Sequence, residues 1–115
     1  MGIDRSLLTL EQILEATDGV HVLGPSNITF TSVVTDSRNV EKDSLFVPLI
    51  GEMQDGHKYV PQAIEKGASV VFIAKSSYEA DSNFFVDLHH AHANVTFVAV
   101  DNTLTALQKA AGAYV

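Results

Sequence analysis

Residues 45–74, LFVPLIGEMQDGHKYVPQAIEKGASVVFIA, have the pattern of a strand, a loop, a helix and a second strand. The helix is predicted over Tyr59–Lys66, because Pro61 suits a first helical turn and Gly67 suits the position just after a helix end. The apolar, β-branched run Ala68–Ala74 is typical of a buried strand. Two strands joined through a helix pair in parallel with a right-handed crossover, so this stretch predicts a parallel sheet.

Further strands are predicted on both sides of this unit. His21–Leu23, Ile28–Thr35 and Val95–Val100 carry β-branched or continuous apolar residues. The first strand of the unit, Leu45–Ile50, contains Pro48, which cannot donate to a ladder and therefore predicts a sheet edge or a bulge. The pattern as a whole predicts one small α/β domain, with a mixed, mostly parallel sheet and flanking helices.

Helices are predicted at both ends of the chain. The first has apolar residues at helical spacing from Leu10 to Thr17 and a stop at Asp18-Gly19. The last is capped by Asn102 or Thr103 and runs to the final residue without a stop signal, which suggests a fragment of a longer protein. Residues 75–94 fit either a helix or an edge strand around Phe84.

Composition excludes several classes of function. The chain has 115 residues, of which 46% are hydrophobic, with a net charge of −7 and no cysteine. The acidic balance argues against a nucleic-acid partner, and the lack of cysteine excludes disulfides, thiolate metal sites and cysteine nucleophiles. No stretch has the length of a signal peptide core or a membrane span, so we expect a cytoplasmic protein without a membrane partner.

A polar tetrad, Thr35-Asp36-Ser37-Arg38, begins at the end of the predicted strand Ile28–Thr35. Its two hydroxyls, carboxylate and guanidinium offer donors and acceptors to a polar ligand, and a guanidinium suits phosphate oxygens. The simpler interpretation, which composition alone favours, is a polar turn in which Asp36 caps backbone amides and pairs with Arg38.

Residues 51–58, GEMQDGHK, have the glycine spacing of a phosphate-binding loop between a strand and a helix. His57 stands where that motif needs lysine, and Lys58 stands where it needs serine or threonine, so this is not an ATP site. The glycines still allow backbone amides to face an anion near a helix start, although a tight turn that needs Gly56 explains them equally well.

Three histidines, His89, His90 and His92, lie close together near the end of the unassigned stretch. A zinc site needs a third well-spaced ligand, which the sequence does not supply, so solvated histidines are the simpler interpretation and no metal site is predicted. No nucleophile elbow appears, and no pair of carboxylates has a context that implies acid–base chemistry, so the residues themselves offer no catalytic candidate.

Several blocks together resemble the N-terminal domain of the Mur ligase family. They are residues 35–47 (TDSRNVEKDSLFV), 51–60 (GEMQDGHKYV) and 62–68 (QAIEKGA), in the family's order and spacing, with residues 8–13 (LTLEQI) and 100–111 (VDNTLTALQKAA) at the two ends. The last block is more similar to the members that add D-alanyl-D-alanine than to the sister members that add lysine or diaminopimelate. Asp43 departs from the family's usual glycine, but aspartate tolerates left-handed geometry, so the turn is expected to survive.

The resemblance implies that residues 1–115 are the UDP-sugar-binding domain of a longer ligase. Such enzymes use ATP and magnesium to activate the carboxylate of UDP-N-acetylmuramoyl-tripeptide, which the amine of D-alanyl-D-alanine then attacks. Two further domains are expected outside this segment: a central ATP-binding domain, which is its expected partner, and a C-terminal domain. The fragment alone is therefore expected to be inactive and to bind no cofactor. The alternatives are the sister ligase or a non-catalytic binding module with the same fold.

Carried over residue by residue, the resemblance assigns UDP-sugar contacts to two groups of positions. The first group is the polar tetrad except Asp36, which is expected only to orient Arg38. The second group is the neighbouring loop. The expected contacts are Thr35, Ser37, Arg38, Asp55, Gly56 and His57.

Overall fold

The computed structural model describes residues 8–24, 29–30, 32–49 and 56–114 of the chain. In chain order the described elements are β1 (Leu8–Thr9), α1 (Leu10–Thr17), β2 (Val20–Leu23), β3 (Thr29–Phe30), β4 (Ser32–Val34), a 3-10 helix (Ser37–Asn39), β5 (Ser44–Phe46), a second 3-10 helix (Gly56–Tyr59), α2 (Val60–Lys66), β6 (Ala68–Ala74), α3 (Lys75–Ala80), α4 (Ser82–Ala91), β7 (Thr96–Val100) and α5 (Thr103–Tyr114).

Five of the strands form one sheet, in the order β2-β7-β6-β5-β4. Strands β4, β5, β6 and β7 run parallel, and β2 is antiparallel to its neighbour β7. Strands β1 and β3 form a separate antiparallel pair. The prediction of a mixed, mostly parallel sheet with flanking helices is therefore confirmed.

The sheet is covered on both faces, which explains why its central strands are apolar throughout. Along β6, Val70 and Phe72 pack in the cluster that contains Ile13 of α1. The side chains of Val71 and Ile73 point to the opposite face of the sheet, into a second cluster with residues of α2 and α4. Because successive side chains of a strand face opposite sides, one seven-residue run supplies both cores.

Two strand predictions need correction. The stretch Ile28–Thr35 is not one strand but contains β3 and β4, which belong to different sheets. Strand β5 is an inner strand rather than an edge, and it ends at Phe46, two residues before Pro48. Because the strand ends before Pro48, the proline's lack of an N–H removes no hydrogen bond from the sheet, and neither an edge nor a bulge is needed at this residue.

The stretch that the sequence left open, residues 75–94, forms the two helices α3 and α4. The aromatic ring of Phe85 is 2% exposed and packs near the rings of Phe84, Tyr78 and Phe97. The helical alternative is thus correct, and the edge-strand alternative is wrong.

Predicted turn residues behave as their chemistry requires. Gly67 ends α2 at φ 119° and Asp43 has φ 64°, both in the left-handed region. The side-chain oxygen of Asn102 accepts a hydrogen bond of 3.0 Å from the backbone N–H of Thr105, so Asn102 caps α5.

Candidate functional site: a polar cleft at the carboxyl edge of the sheet

A cleft of about 1000 Å³ opens where the parallel strands end. Each of β4, β5, β6 and β7 contributes residues from its carboxyl end or from the segment that follows. Ligands of parallel α/β sheets bind at this edge, because the loops that follow the strands converge there. The lining residues are Thr35, Asp36, Ser37, Arg38, Leu49, Gly56, Tyr59, Gln62, Ala74, Ser76, Asp101, Asn102, Thr103 and Leu104.

The polar tetrad forms one wall of the cleft, and its central feature is the pair formed by Asp36 and Arg38. The guanidinium donates to the carboxylate through Nη2 at 2.8 Å and through Nε at 3.1 Å. The same carboxylate accepts the backbone N–H of Arg38 at 2.9 Å and so caps the following 3-10 helix. The polar-turn interpretation is therefore correct, and it coexists with a position on the cleft wall.

The tetrad is also fixed to helix α2. Ser37 is buried, and its hydroxyl donates to the side-chain oxygen of Gln62 at 3.3 Å. The ammonium of Lys66 donates to the backbone carbonyl of Arg38 at 3.2 Å. These two bonds hold the turn against the helix and leave Thr35 exposed at the cleft.

The second predicted group divides between the cleft and the core. Gly56 lines the cleft. His57 does not line it: the ring is buried, with Nε2 accepting the backbone N–H of Ala74 at 3.0 Å. Asp55 lies outside the described residues.

Sequence reasoning missed the wall formed by the ends of β6 and β7. Ser76, Asp101, Asn102 and Thr103 line the cleft, and the Lys75 ammonium lies 3.1 Å from the Asp101 carboxylate. Their position directly after predicted parallel strands could have identified them, because the carboxyl ends of parallel strands meet at one edge of a sheet.

The chemistry of the lining suits recognition of a polar ligand by hydrogen bonds. It combines hydroxyls and amides with one guanidinium, and the first turn of α5 opens into it at Thr103. A helix start favours an anion through its free N–H groups and its dipole. Since Asp36 pairs with Arg38 and Asp101 with Lys75, an anionic ligand would meet fixed donors rather than a broad positive field.

The described residues do not fit a magnesium–ATP site. His57 is buried in the place that a phosphate-binding loop gives to lysine, and the Lys58 ammonium lies 5.1 Å from the ring centroid of Tyr59. Within the described ranges, no three His, Asp or Glu side chains gather in a way that would hold a metal ion, which includes the group at His89, His90 and His92. None of the described helices has the length and apolar character needed to cross a membrane.

Comparison with known proteins identifies the family to which this chain belongs. The family model described as "Mur ligase family, catalytic domain" matches residues 29–115. The chain is 36% identical over 104 residues to UDP-N-acetylmuramoyl-L-alanyl-D-glutamate--2,6-diaminopimelate ligase of Clostridioides difficile (strain 630), covering 90% of this chain and 19% of that protein. It is 42% identical over 82 residues to UDP-N-acetylmuramoyl-tripeptide--D-alanyl-D-alanine ligase of Bacillus subtilis (strain 168), covering 71% of this chain and 16% of that protein.

Among solved structures, the fold matches MurF from Acinetobacter baumannii (crystal structure II) with a TM-score of 0.67. The identity is 24%, and the match covers 93% of this chain and 21% of that one. This likeness supports the fold alone. The chain spans less than a fifth of the length of the two curated relatives, and the family match over residues 29–115 shows that it belongs to the Mur ligase family.

Proposed function

We propose that this chain is the UDP-N-acetylmuramoyl-tripeptide-binding domain of an ATP-dependent ligase that adds D-alanyl-D-alanine to the peptidoglycan precursor. The observation that carries the proposal is the cleft at the carboxyl edge of the sheet. One wall of the cleft is the tetrad Thr35–Arg38, which begins one of the blocks that carry the family resemblance.

Within this proposal, Thr35, Ser37 and Arg38 contact the uridine or its phosphates. Arg38 suits a phosphate because its planar fork supplies parallel N–H donors, and its tether to Asp36 lowers the entropy lost when a ligand binds. Gly56 lines the cleft, and because its own N–H is donated to the Leu49 carbonyl, it serves by letting the ligand approach the backbone closely. Asp55 is assigned to the site by the family resemblance alone. His57 acts from the core rather than by direct contact.

The choice of amine substrate rests on residues 100–111, VDNTLTALQKAA, which resemble the D-alanyl-D-alanine-adding members. The similarity to the diaminopimelate ligase of Clostridioides difficile favours a second candidate, the sister ligase that adds the third residue of the peptide. Amide formation by the complete enzyme separates the two. Product with D-alanyl-D-alanine and UDP-N-acetylmuramoyl-tripeptide supports the first candidate, and product with diaminopimelate or lysine and the dipeptide precursor supports the second.

The remaining parts of the reaction belong to the longer ligase. ATP and magnesium are assigned to the central domain, as the family resemblance implies. The proposed enzyme works in the cytoplasm, with the central ATP-binding domain as the partner of this one. A non-catalytic binding module would keep the cleft and lack the ligase activity.

Titration calorimetry of the chain with UDP-N-acetylmuramoyl-tripeptide tests the binding proposal. Arg38→Ala is expected to weaken binding by about tenfold or more, since hydrogen bonds to charged groups contribute about 1.5–3 kcal/mol. Lys109→Ala is the matched control: it also removes one cation, but its partner is Asp18 and it does not line the cleft. Equal affinity for the wild type and Arg38→Ala would contradict the proposal.

A further inference from the structure

The imidazole of His57 occupies a specific place in the core. The residue is 6% exposed, and its ring lies edge-on to the ring of Phe85, with centroids 6.3 Å apart. Its Nε2 accepts the backbone N–H of Ala74 at 3.0 Å. An accepting nitrogen carries no proton, so the neutral ring holds its proton on Nδ1.

This bond provides an acceptor for the backbone N–H of Ala74 at the end of β6. Strand β5 pairs with β6 only as far as Phe46 and Val71, so Ala74 lies beyond the end of that neighbour. Ala74 is buried, and a buried N–H without an acceptor costs free energy. The imidazole therefore supplies the acceptor that a longer β5 would otherwise have supplied.

The residue before the histidine makes a second tie. The N–H of Gly56 donates to the carbonyl of Leu49 at 2.8 Å. A Cβ on Gly56 would lie 2.8 Å from both the nitrogen and the oxygen of Leu49, so only glycine permits this approach. Gly56 and His57 thus join the chain after β5 to the end of β6.

The three segments joined in this way all reach the cleft, because Leu49, Gly56 and Ala74 line it. Ser76, two residues after Ala74, lines it as well. A change in the His57–Ala74 bond is therefore expected to shift the Gly56 segment relative to the end of β6, although His57 itself does not line the cleft.

We propose that His57 is a positioning residue: it holds the Gly56 segment and the end of β6 in the geometry that binds the UDP-sugar. The proposal rests on the proposed function of the cleft. It assigns the histidine a role through its acceptor nitrogen rather than through contact with the ligand.

The experiment uses the 15N-labelled chain with His57→Gln and His57→Phe. Glutamine can present an acceptor oxygen near the position of Nε2, whereas phenylalanine fills the space without an acceptor. The first measurement is the scalar coupling between the backbone nitrogen of Ala74 and Nε2 of His57, which arises only across a hydrogen bond. The second is the affinity for UDP-N-acetylmuramoyl-tripeptide. Ile13→Val, a core change within α1 on the opposite face of the sheet, controls for general loss of stability.

The wild type is expected to show the coupling. His57→Phe is expected to weaken ligand binding by about tenfold, because phenylalanine leaves the Ala74 N–H without an acceptor. His57→Gln is expected to weaken binding by about threefold or less, because glutamine can replace the acceptor. Ile13→Val is expected to bind like the wild type.

Absence of the coupling overturns the proposal, and so does wild-type affinity in His57→Phe or an equal loss in both variants. If the wild type itself fails to bind, the proposed function fails separately. The positioning role is then decided by the coupling and by the amide shifts of Leu49 and Gly56, which must change more in His57→Phe than in His57→Gln.

Discussion

The carboxylate of Asp36 holds both the backbone and the side chain of Arg38. It accepts the backbone N–H at 2.9 Å and lies 2.8 Å from Nη2 of the guanidinium. The hydrogen bonds from the Arg38 side chain and backbone lower the pKa of Asp36 from its usual 3.8 to about 2, and the pairing raises the pKa of Arg38. The guanidinium at the cleft is therefore charged and tethered before a ligand arrives.

This pairing predicts the acid titration of Asp36. Because the pKa is lowered on folding, the pair contributes to stability above the usual value of 3.8, and the contribution is lost as the pH falls through about 2. Carboxyl 13C shifts are expected to give a midpoint near 2 in the wild type and in Lys109→Ala, and a midpoint shifted back toward 3.8 in Arg38→Ala. A wild-type midpoint near the usual value would contradict the pairing.

A second prediction concerns the aromatic cluster that fixes helix α4. Phe85→Ala is expected to lower the free energy of unfolding by about 3–5 kcal/mol, because it leaves a cavity among the rings around it. Phe84→Ala, at a half-buried position of the same helix, is expected to cost clearly less. Urea denaturation of both variants tests this, and equal costs would show that Phe85 is not the anchor.

A third prediction concerns the turn at the end of α2. Gly67 has φ 119°, and a Cβ there would lie 2.8 Å from the Cα of Lys42. Gly67→Ala is therefore expected to destabilise the fold by about 2 kcal/mol or more. Glu65→Ala, at an exposed position two residues earlier, should change stability by about 0.5 kcal/mol or less. Matching stabilities of Gly67→Ala and the wild type would refute the strained geometry.

The sequence predicts β6 and the parallel sheet well, because a seven-residue apolar run between turn residues leaves few alternatives. It cannot divide Ile28–Thr35, since β-branched residues favour a strand without indicating which sheet that strand joins. It also cannot resolve residues 75–94, where Phe85 makes contacts with rings that lie distant in the chain.

Some residues of the site can be predicted from their sequence neighbours, and others depend on contacts that are distant in the chain. Thr35–Arg38 is recognisable because polar residues directly follow a strand. Ser76 and Asp101 join the same cleft only through the order of the strands, which local patterns do not specify. The inward direction of His57 likewise depends on the position of Ala74, seventeen residues away.

Backbone amide shifts of the chain during titration with UDP-N-acetylmuramoyl-tripeptide show whether the cleft binds this ligand. We predict saturable shifts concentrated at the carboxyl edge of the sheet, at Thr35–Arg38, Gly56, Ser76 and Asp101–Leu104, and weaker binding in Arg38→Ala. Saturable shifts confined to a second groove, whose lining includes Ser77 and Phe84, or no saturable shift at the carboxyl edge at millimolar ligand, would contradict the proposed site.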